Sequence, residues 1–211
     1  MILRLIKRTK IYNFRLPDNL NGIFWITDTD GLGNTRNLVS VEPHDGDLYL
    51  KSNFETKIIA NKTVIDSIAL REHNLYFLRI NNENNFMMLY ASPDREENVR
   101  VEVQEGTRLI IGNGRGCAIN YNYPLISPKH AGLIYQNGTW YLENYSTSYG
   151  TYVNDRLAVN SRIYHGDIIF IMGLKIIPVG NSLIINNIGS LVSLDNSVFK
   201  IKHPRVQPPI D

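Results

Sequence analysis

Short apolar or alternating runs, broken by Asn, Asp, Gly and Pro, recur along the whole chain. Ile11–Leu16, Ile23–Thr27, Leu48–Leu50, Lys57–Ala60, Leu75–Ile80 and Phe86–Tyr90 have the length and residue types of strands. So do Val99–Val103, Arg108–Ile111, Ala131–Tyr135, Thr139–Leu142, Tyr152–Asn154, Ile168–Ile171, Lys175–Pro178 and Leu183–Ile185. Between them stand turn formers such as Asp45-Gly46-Asp47, Asn137-Gly138 and Val179-Gly180-Asn181, which accept unusual backbone angles or bond their own backbone. No stretch keeps a helical period. Many short strands at this spacing predict an all-β protein of the sandwich or barrel kind.

The pattern also repeats. His44-Asp45-Gly46-Asp47-Leu48-Tyr49-Leu50 lies over Gln136-Asn137-Gly138-Thr139-Trp140-Tyr141-Leu142 at an offset of 92. Lys57-Ile58-Ile59-Ala60-Asn61 lies over Thr151-Tyr152-Val153-Asn154 with Asn61 to Asn154 offset by 93, and Leu75-Tyr76-Phe77-Leu78 lies over Ile168-Ile169-Phe170-Ile171, again offset by 93. Three blocks in one register predict two copies of one β-sandwich, residues 1–92 and 93–195, joined near Ser92-Pro93-Asp94. Residues 196–211, with His203-Pro204-Arg205-Val206-Gln207-Pro208-Pro209, read as a Pro-rich linker.

Composition narrows the function. The 211 residues give room for two domains of about 100 each, and a hydrophobic share of 43% supports a packed core. With 22 basic and 20 acidic residues the net charge is +2, which makes no case for nucleic acid. Cys117 is the single cysteine, so no intramolecular disulfide exists and a reducing compartment fits. The opening Met1-Ile-Leu-Arg-Leu-Ile-Lys-Arg is too charged for a signal core or a membrane span. The longest apolar stretch, Ile168–Val179, is short and interrupted by Lys175 and Pro178.

Candidate chemistry is sparse. His44, His73, His165 and His203 have no Cys or carboxylate at ligand spacing, so no metal site is expected. Gly31-Leu32-Gly33-Asn34 lacks a third glycine and a following helix, and reads as a turn rather than a dinucleotide loop. No phosphate-binding GxxxxGK[ST] sequence occurs, and no cofactor or catalytic residue is assigned. Arg4, Lys7, Arg8, Lys10 and Arg15 read as the solvated face of strands, with anionic lipid headgroups as the alternative. Cys117 is expected to be buried and inert, and Trp25 and Trp140 are expected in the core.

The second copy carries sharper motifs. Ile111-Gly112 closes a strand, Ser127-Pro128-Lys129-His130-Ala131 opens the next, Gly150-Thr151-Tyr152-Val153-Asn154 follows a turn, and His165-Gly166-Asp167 precedes the closing strand. This order resembles the forkhead-associated (FHA) family over residues 96–186, in which IGR, SxxHA, SxNGTxVN and GD mark an eleven-stranded sandwich. The resemblance implies a phosphothreonine-binding apex. Ser127 matches the phosphate-binding serine and Ser148 the hydroxyl residue before the family asparagine. His130 matches the histidine that braces the loops from inside, and Gly112 and Gly150 the turn glycines. Gly166 and Asp167 match the last motif, and Asn154, the closing residue of the third, is expected at the peptide-binding apex with Asn113, Arg115, Ser127, Lys129, Ser148 and Tyr149.

Two positions depart from the family. Asn113 stands where the family arginine grips phosphate, and Tyr149 where its asparagine holds the peptide backbone. Each loss costs about 1.5–3 kcal/mol, together roughly 10²–10⁴ in affinity. Arg115 and Lys129 lie close in sequence and restore positive charge in a different geometry. The first copy has no SxxH or NGT equivalent and reads as an FHA-like shell without the apex.

Two degenerate FHA domains followed by a Pro/Arg linker are similar to the cytosolic N-terminal region of the EssC/YukB family. These are the FtsK/SpoIIIE-type, ATP-binding coupling ATPases of Gram-positive type VII secretion. The resemblance implies a non-catalytic adaptor on the cytoplasmic face of the cell membrane, reached through transmembrane helices outside this sequence. Its partners would be other secretion-system proteins or regulators, recognised without phosphate. The alternative is a phosphothreonine-peptide reader using Arg115, Ser127 and Ser148.

Overall fold

A computed structural model describes residues 1–201 except 8, 30–32, 61–62, 82–85, 95–96, 147–148 and 187–190. The chain divides into two units, Met1–Arg95 and Glu96–Asp211. Among the described residues every regular element is a strand, with 3₁₀ geometry at Leu191 alone, as the alternating pattern predicts.

The first unit contains β1 (Ile2–Lys7), β2 (Lys10–Arg15), β3 (Phe24–Thr29), β4 (Thr35–His44), β5 (Asp47–Lys51), β6 (Thr56–Ala60), β7 (Thr63–Ile65), β8 (Ser67–Ala69), β9 (Leu75–Ile80) and β10 (Phe86–Ser92). One ladder runs β2-β1-β10-β9-β6-β7 and the other β3-β4-β5-β8, all antiparallel. Period-two burial points one face of each inward. Leu3, Leu5, Leu78 and Leu89 of the first ladder pack with Ile26, Leu38, Val41 and Leu50 of the second, all fully buried.

The second unit contains β11 (Asn98–Glu102), β12 (Arg108–Gly112), β13 (Ile119–Tyr121), β14 (Ala131–Gln136), β15 (Thr139–Asn144), β16 (Thr151–Val153), β17 (Arg156–Ala158), β18 (Asn160–Ile163), β19 (Ile169–Ile171), β20 (Leu174–Val179), β21 (Ser182–Asn186), β22 (Val192–Leu194) and β23 (Lys200–Ile201). Its ladders run β23-β11-β21-β20-β19-β16-β17 and β18-β15-β14-β12-β13-β22, with β12 and β13 parallel. The Tyr121 hydroxyl donates to Met172 O at 2.8 Å and the Trp140 indole N–H to Gly180 O at 2.7 Å, tying the two ladders together.

The two units share one plan. The β4–β5 turn is Asp45-Gly46 and the β14–β15 turn Asn137-Gly138, all four residues at positive φ. That is the hairpin geometry for which Asp-Gly and Asn-Gly are suited. Slot by slot, β7, β6, β9 and β10 correspond to β17, β16, β19 and β20, and β3, β4, β5 and β8 to β12, β14, β15 and β18.

Two differences matter. Beside β20 lies β21, the strand that follows it, whereas beside β10 lies β1, from the start of the chain. The first unit thus fills the slot of β21 with a strand from its front. Between β12 and β14 the second unit inserts residues 113–130 with β13, while β3 and β4 are joined by residues 30–34 alone. The first unit has no room there for an SxxH loop.

Several expectations need correction. Residues 2–7 and 35–44 are full strands that charge and polar interruptions conceal. Trp25 is 39% exposed rather than in the core, because Ile26 takes the inward position beside it; Trp140 is 3% exposed. The second unit also continues past residue 195. Phe199 is 4% exposed and β23 pairs with β11, so the linker begins later than residue 196. Residues 202–211 and the Gly31-Leu32 pair lie outside the described residues. The basic run is largely engaged: Lys7 reaches both oxygens of Asp28 at 2.7 Å, Arg15 pairs with Asp94 at 3.6 Å, and Arg4 donates to Asn13 at 3.0 Å.

Candidate functional site

The loops after β12 and β15, with the segment entering β14, meet at one end of the second unit. Asn113 N–H donates to Ser127 O at 3.2 Å, Gly114 N–H to Pro128 O at 3.1 Å and His130 N–H to Ile111 O at 2.8 Å. This close approach requires glycine at position 112. A Cβ there would sit 2.3 Å from Pro128 O and 2.7 Å from Ser127 O, both backbone. The Cys117 thiol is buried and donates to Pro128 O at 3.2 Å. Burial pushes its pKa up, opposed by a backbone bond at Gly114 and the Lys129 charge, so it stays a thiol and packs the loop.

His130 is fully buried and joins the loops. Its Nε2 lies 3.0 Å from Gly150 O, which can only accept, so Nε2 carries the proton. Its Nδ1 accepts the Ser127 N–H at 3.4 Å. Both ring nitrogens are satisfied in the neutral form. Burial holds the His130 pKa below the usual value, and the Gly150 bond opposes this only in part.

The loop after β15 is shaped by side chains that the motifs alone did not single out. Asn144 Oδ1 accepts from Ser146 N–H and from the Thr151 hydroxyl, each at 3.2 Å. Ser146 Oγ accepts from Tyr149 N–H at 3.4 Å and Gly150 N–H at 3.3 Å. Asn and Ser closing turns on their own backbone are the sequence signal that could have found them. Gly150 follows at φ +70, with room for its bare Cα against Leu157.

The predicted residues fall into three groups. Gly112, His130 and Gly150 form the braced frame. Asn113, Arg115 and Lys129 are exposed on it, with Ser127 and Tyr149 half-buried. Among the described residues neither Arg115 nor Lys129 has an ion pair, and the Ser127 hydroxyl has no hydrogen bond. Ser148 lies outside the described residues. Asn154 does not join this group. β16 carries the chain away from Gly150, and Asn154 closes on the following loop instead. Its Nδ2 donates to Asp167 Oδ1 at 2.8 Å and its Oδ1 accepts Ile168 N–H at 2.9 Å. Asp167 Oδ2 also accepts Tyr164 N–H at 2.8 Å, and Gly166 N–H donates to Pro178 O at 2.9 Å, so this last motif is a structural clamp.

The equivalent end of the first unit is built differently. Asn53 Oδ1 accepts from Glu55 N–H at 2.9 Å and Thr56 N–H at 2.7 Å, and Asn81 Nδ2 donates to Phe54 O at 2.8 Å. The pinned turn presents Phe54, which is 90% exposed.

Within the β-sandwich of the second unit, residues 109–172 match the FHA domain family. Over the whole chain, the fold is similar to the N-terminal FHA domain from EssC, a component of the bacterial type VII secretion apparatus. The TM-score is 0.64 at 13% identity, covering 96% of this chain and 98% of that one. The FHA-2 domain of a Mycobacterium tuberculosis ABC transporter matches at 22% identity and TM-score 0.35, over 46% of this chain and 86% of that one. A search of curated proteins finds no match.

Proposed function

We propose that the chain is a non-catalytic protein-interaction module of a type VII secretion ATPase, and that its second unit binds a partner without needing phosphate. One observation carries this reading: the frame that presents an FHA binding loop is complete, while the groups that would grip a phosphate are not. His130 is buried and doubly bonded and Gly112 is pressed on the Ser127–Pro128 backbone. At the two gripping positions stand an exposed Asn113 and a half-buried Tyr149. A phosphate near −2 needs a fixed cation as well as donors to offset its desolvation, and a neutral amide and a phenol supply no cation. The likeness to the EssC domain supports placing the module at the cytoplasmic face of a membrane, among secretion proteins or their regulators. The membrane-spanning and ATPase parts would lie outside this sequence.

The second reading, a phosphothreonine reader, is favoured by the unbonded Ser127 hydroxyl and the unpaired Arg115 and Lys129 among the described residues. Calorimetric titration of a phosphothreonine peptide library, with unphosphorylated controls and Arg115→Ala, separates the two. We expect phosphate-dependent binding weaker than about 100 μM, near −5.5 kcal/mol. Low-micromolar binding that needs the phosphate and collapses in Arg115→Ala would establish the second reading instead.

A further inference from the structure

The binding end of the second unit offers charge and apolar surface that the described residues of the unit leave unused. Arg115 and Lys129 are exposed and form no ion pair among the described residues. They sit on two loops bound to each other. Gly114 N–H and the Cys117 thiol both donate to Pro128 O, at 3.1 and 3.2 Å, and the Lys129 charge is felt at Cys117. The half-buried Ser127, its hydroxyl unbonded, lies on the same loop.

On the other side of the buried His130–Gly150 bond the surface turns apolar. Leu157, 38% exposed, lies with its Cδ1 only 2.4 Å from where a Cβ on Gly150 would stand. Val159 is 70% exposed, and its carbonyl accepts Asn144 N–H at 2.9 Å, which fixes it beside the loop after β15. Tyr149 is half-buried and immediately precedes Gly150.

Two cations with no ion pair among the described residues, beside a hydroxyl with no hydrogen bond among them, fit an anion. Without a fixed guanidinium fork they fit a carboxylate of charge −1, which costs less to desolvate than a phosphate near −2. The exposed aliphatic residues across the His130–Gly150 bond from them, Leu157 and Val159, fit an apolar side chain. We infer that this end of the second unit takes an unphosphorylated acidic segment of a partner protein. Its carboxylates face Arg115, Ser127 and Lys129, and an apolar side chain rests on Leu157 and Val159. The inference rests on the phosphate-independent reading above and adds the partner's chemistry to it.

The test is a displayed library of short unphosphorylated peptides panned against the whole chain, with the enriched peptides synthesised and titrated. Enriched peptides should combine Asp or Glu with a nearby Leu, Ile, Val or Phe, and their affinity should fall as salt rises. Arg115→Ala with Lys129→Ala should weaken them about tenfold, the sum of two exposed charge pairs. Val159→Ser should weaken them by about tenfold through lost apolar contact. All three positions are exposed, so thermal unfolding of the variants should match the parent. Peptides rich in neutral or basic residues that still lose affinity in Val159→Ser would refute the acidic partner and leave phosphate-independent binding standing. Phosphate-dependent binding that Arg115→Ala abolishes would refute both. Failure to enrich any acidic peptide, or enriched peptides indifferent to all the variants, would refute the inference alone.

Discussion

Placing a methyl group on Gly150 tests whether the loop after β15 is built as described. Gly150 has φ +70, where an L side chain costs about 1–2 kcal/mol. The new Cβ would also meet Leu157 Cδ1 at 2.4 Å. That atom is the end of a partly exposed side chain, so it can turn away at an off-rotamer cost of about 0.5–1.5 kcal/mol. Gly150→Ala should therefore destabilise the second unit by about 2–3 kcal/mol, a fall in Tm of roughly 10 °C or more for a unit this size. Trp140, 3% exposed in that unit, reports the transition once Trp25 is replaced by Phe. Two controls divide the effect. In a Leu157→Ala background the clash disappears and about 1–2 kcal/mol of backbone strain remains. Gly138→Ala, at φ +68 with nothing within 4 Å of its Cβ, should show backbone strain alone. A Gly150→Ala protein within about 0.5 kcal/mol of the parent would refute the loop geometry. An equal cost with and without Leu157 would refute the contact.

Three more outcomes follow from named contacts. Because burial holds folded His130 below its unfolded pKa, the unfolded chain takes up that proton first as pH falls below about 6.5. Its contribution is fully present above that pH and is lost below it, and His130→Gln should flatten that part of a urea-midpoint profile. Asn154→Ala should cost about 1–2 kcal/mol by breaking its bonds to Asp167 and Ile168; a cycle with Asp167→Ala should show clear non-additivity, and simple additivity would dissolve the clamp. Asp28, with its side chain 3% exposed between Lys7 and Arg36, should cost about 3 kcal/mol as Asp28→Ala, since two partly buried cations lose the carboxylate they share; denaturation followed at Trp25 measures it.

How legible this was from sequence varied with how local each signal is. The Asp45-Gly46 and Asn137-Gly138 turns name their own geometry, and each sits between alternating strands, so the 92-residue register could be read directly. The motif at Ser127–His130 was legible because a buried histidine and a close-packed glycine need particular residues. β1 was not legible: Arg4 and Lys7 break its alternation, and its place between two strands depends on a partner at Phe86–Ser92 far along the chain. Asn154 was misplaced because its motif neighbours Gly150 in sequence while the strand between them separates the two in space. Trp25 was misplaced because an aromatic residue alone does not reveal which face of a strand it takes.

The transposed strand gives the fold its most exacting consequence. In the second unit β21 follows β20 directly and fills the slot beside it, whereas in the first unit β1 fills that slot from the front. It lies between β2 and β10, pairing Leu5 with Tyr12 on one side and Leu89 on the other. Leu3 and Leu5 are fully buried and Ile6 is 1% exposed, so residues 1–7 form a central strand of this unit. Each of the three side chains contributes about 1.5–3 kcal/mol of burial. Their roughly 4.5–9 kcal/mol together, lost along with two ladders, is comparable to the about 5–15 kcal/mol that holds an ordinary domain folded. Deleting residues 1–9 should therefore unfold the first unit, seen as loss of its cooperative transition at Trp25. The Trp140 transition should persist, because the second unit has its own β21 in the corresponding slot. A truncated chain in which the Trp25 transition survives near its parent midpoint would show that β1 is an edge addition, and the slot-by-slot correspondence of the two units would fall with it.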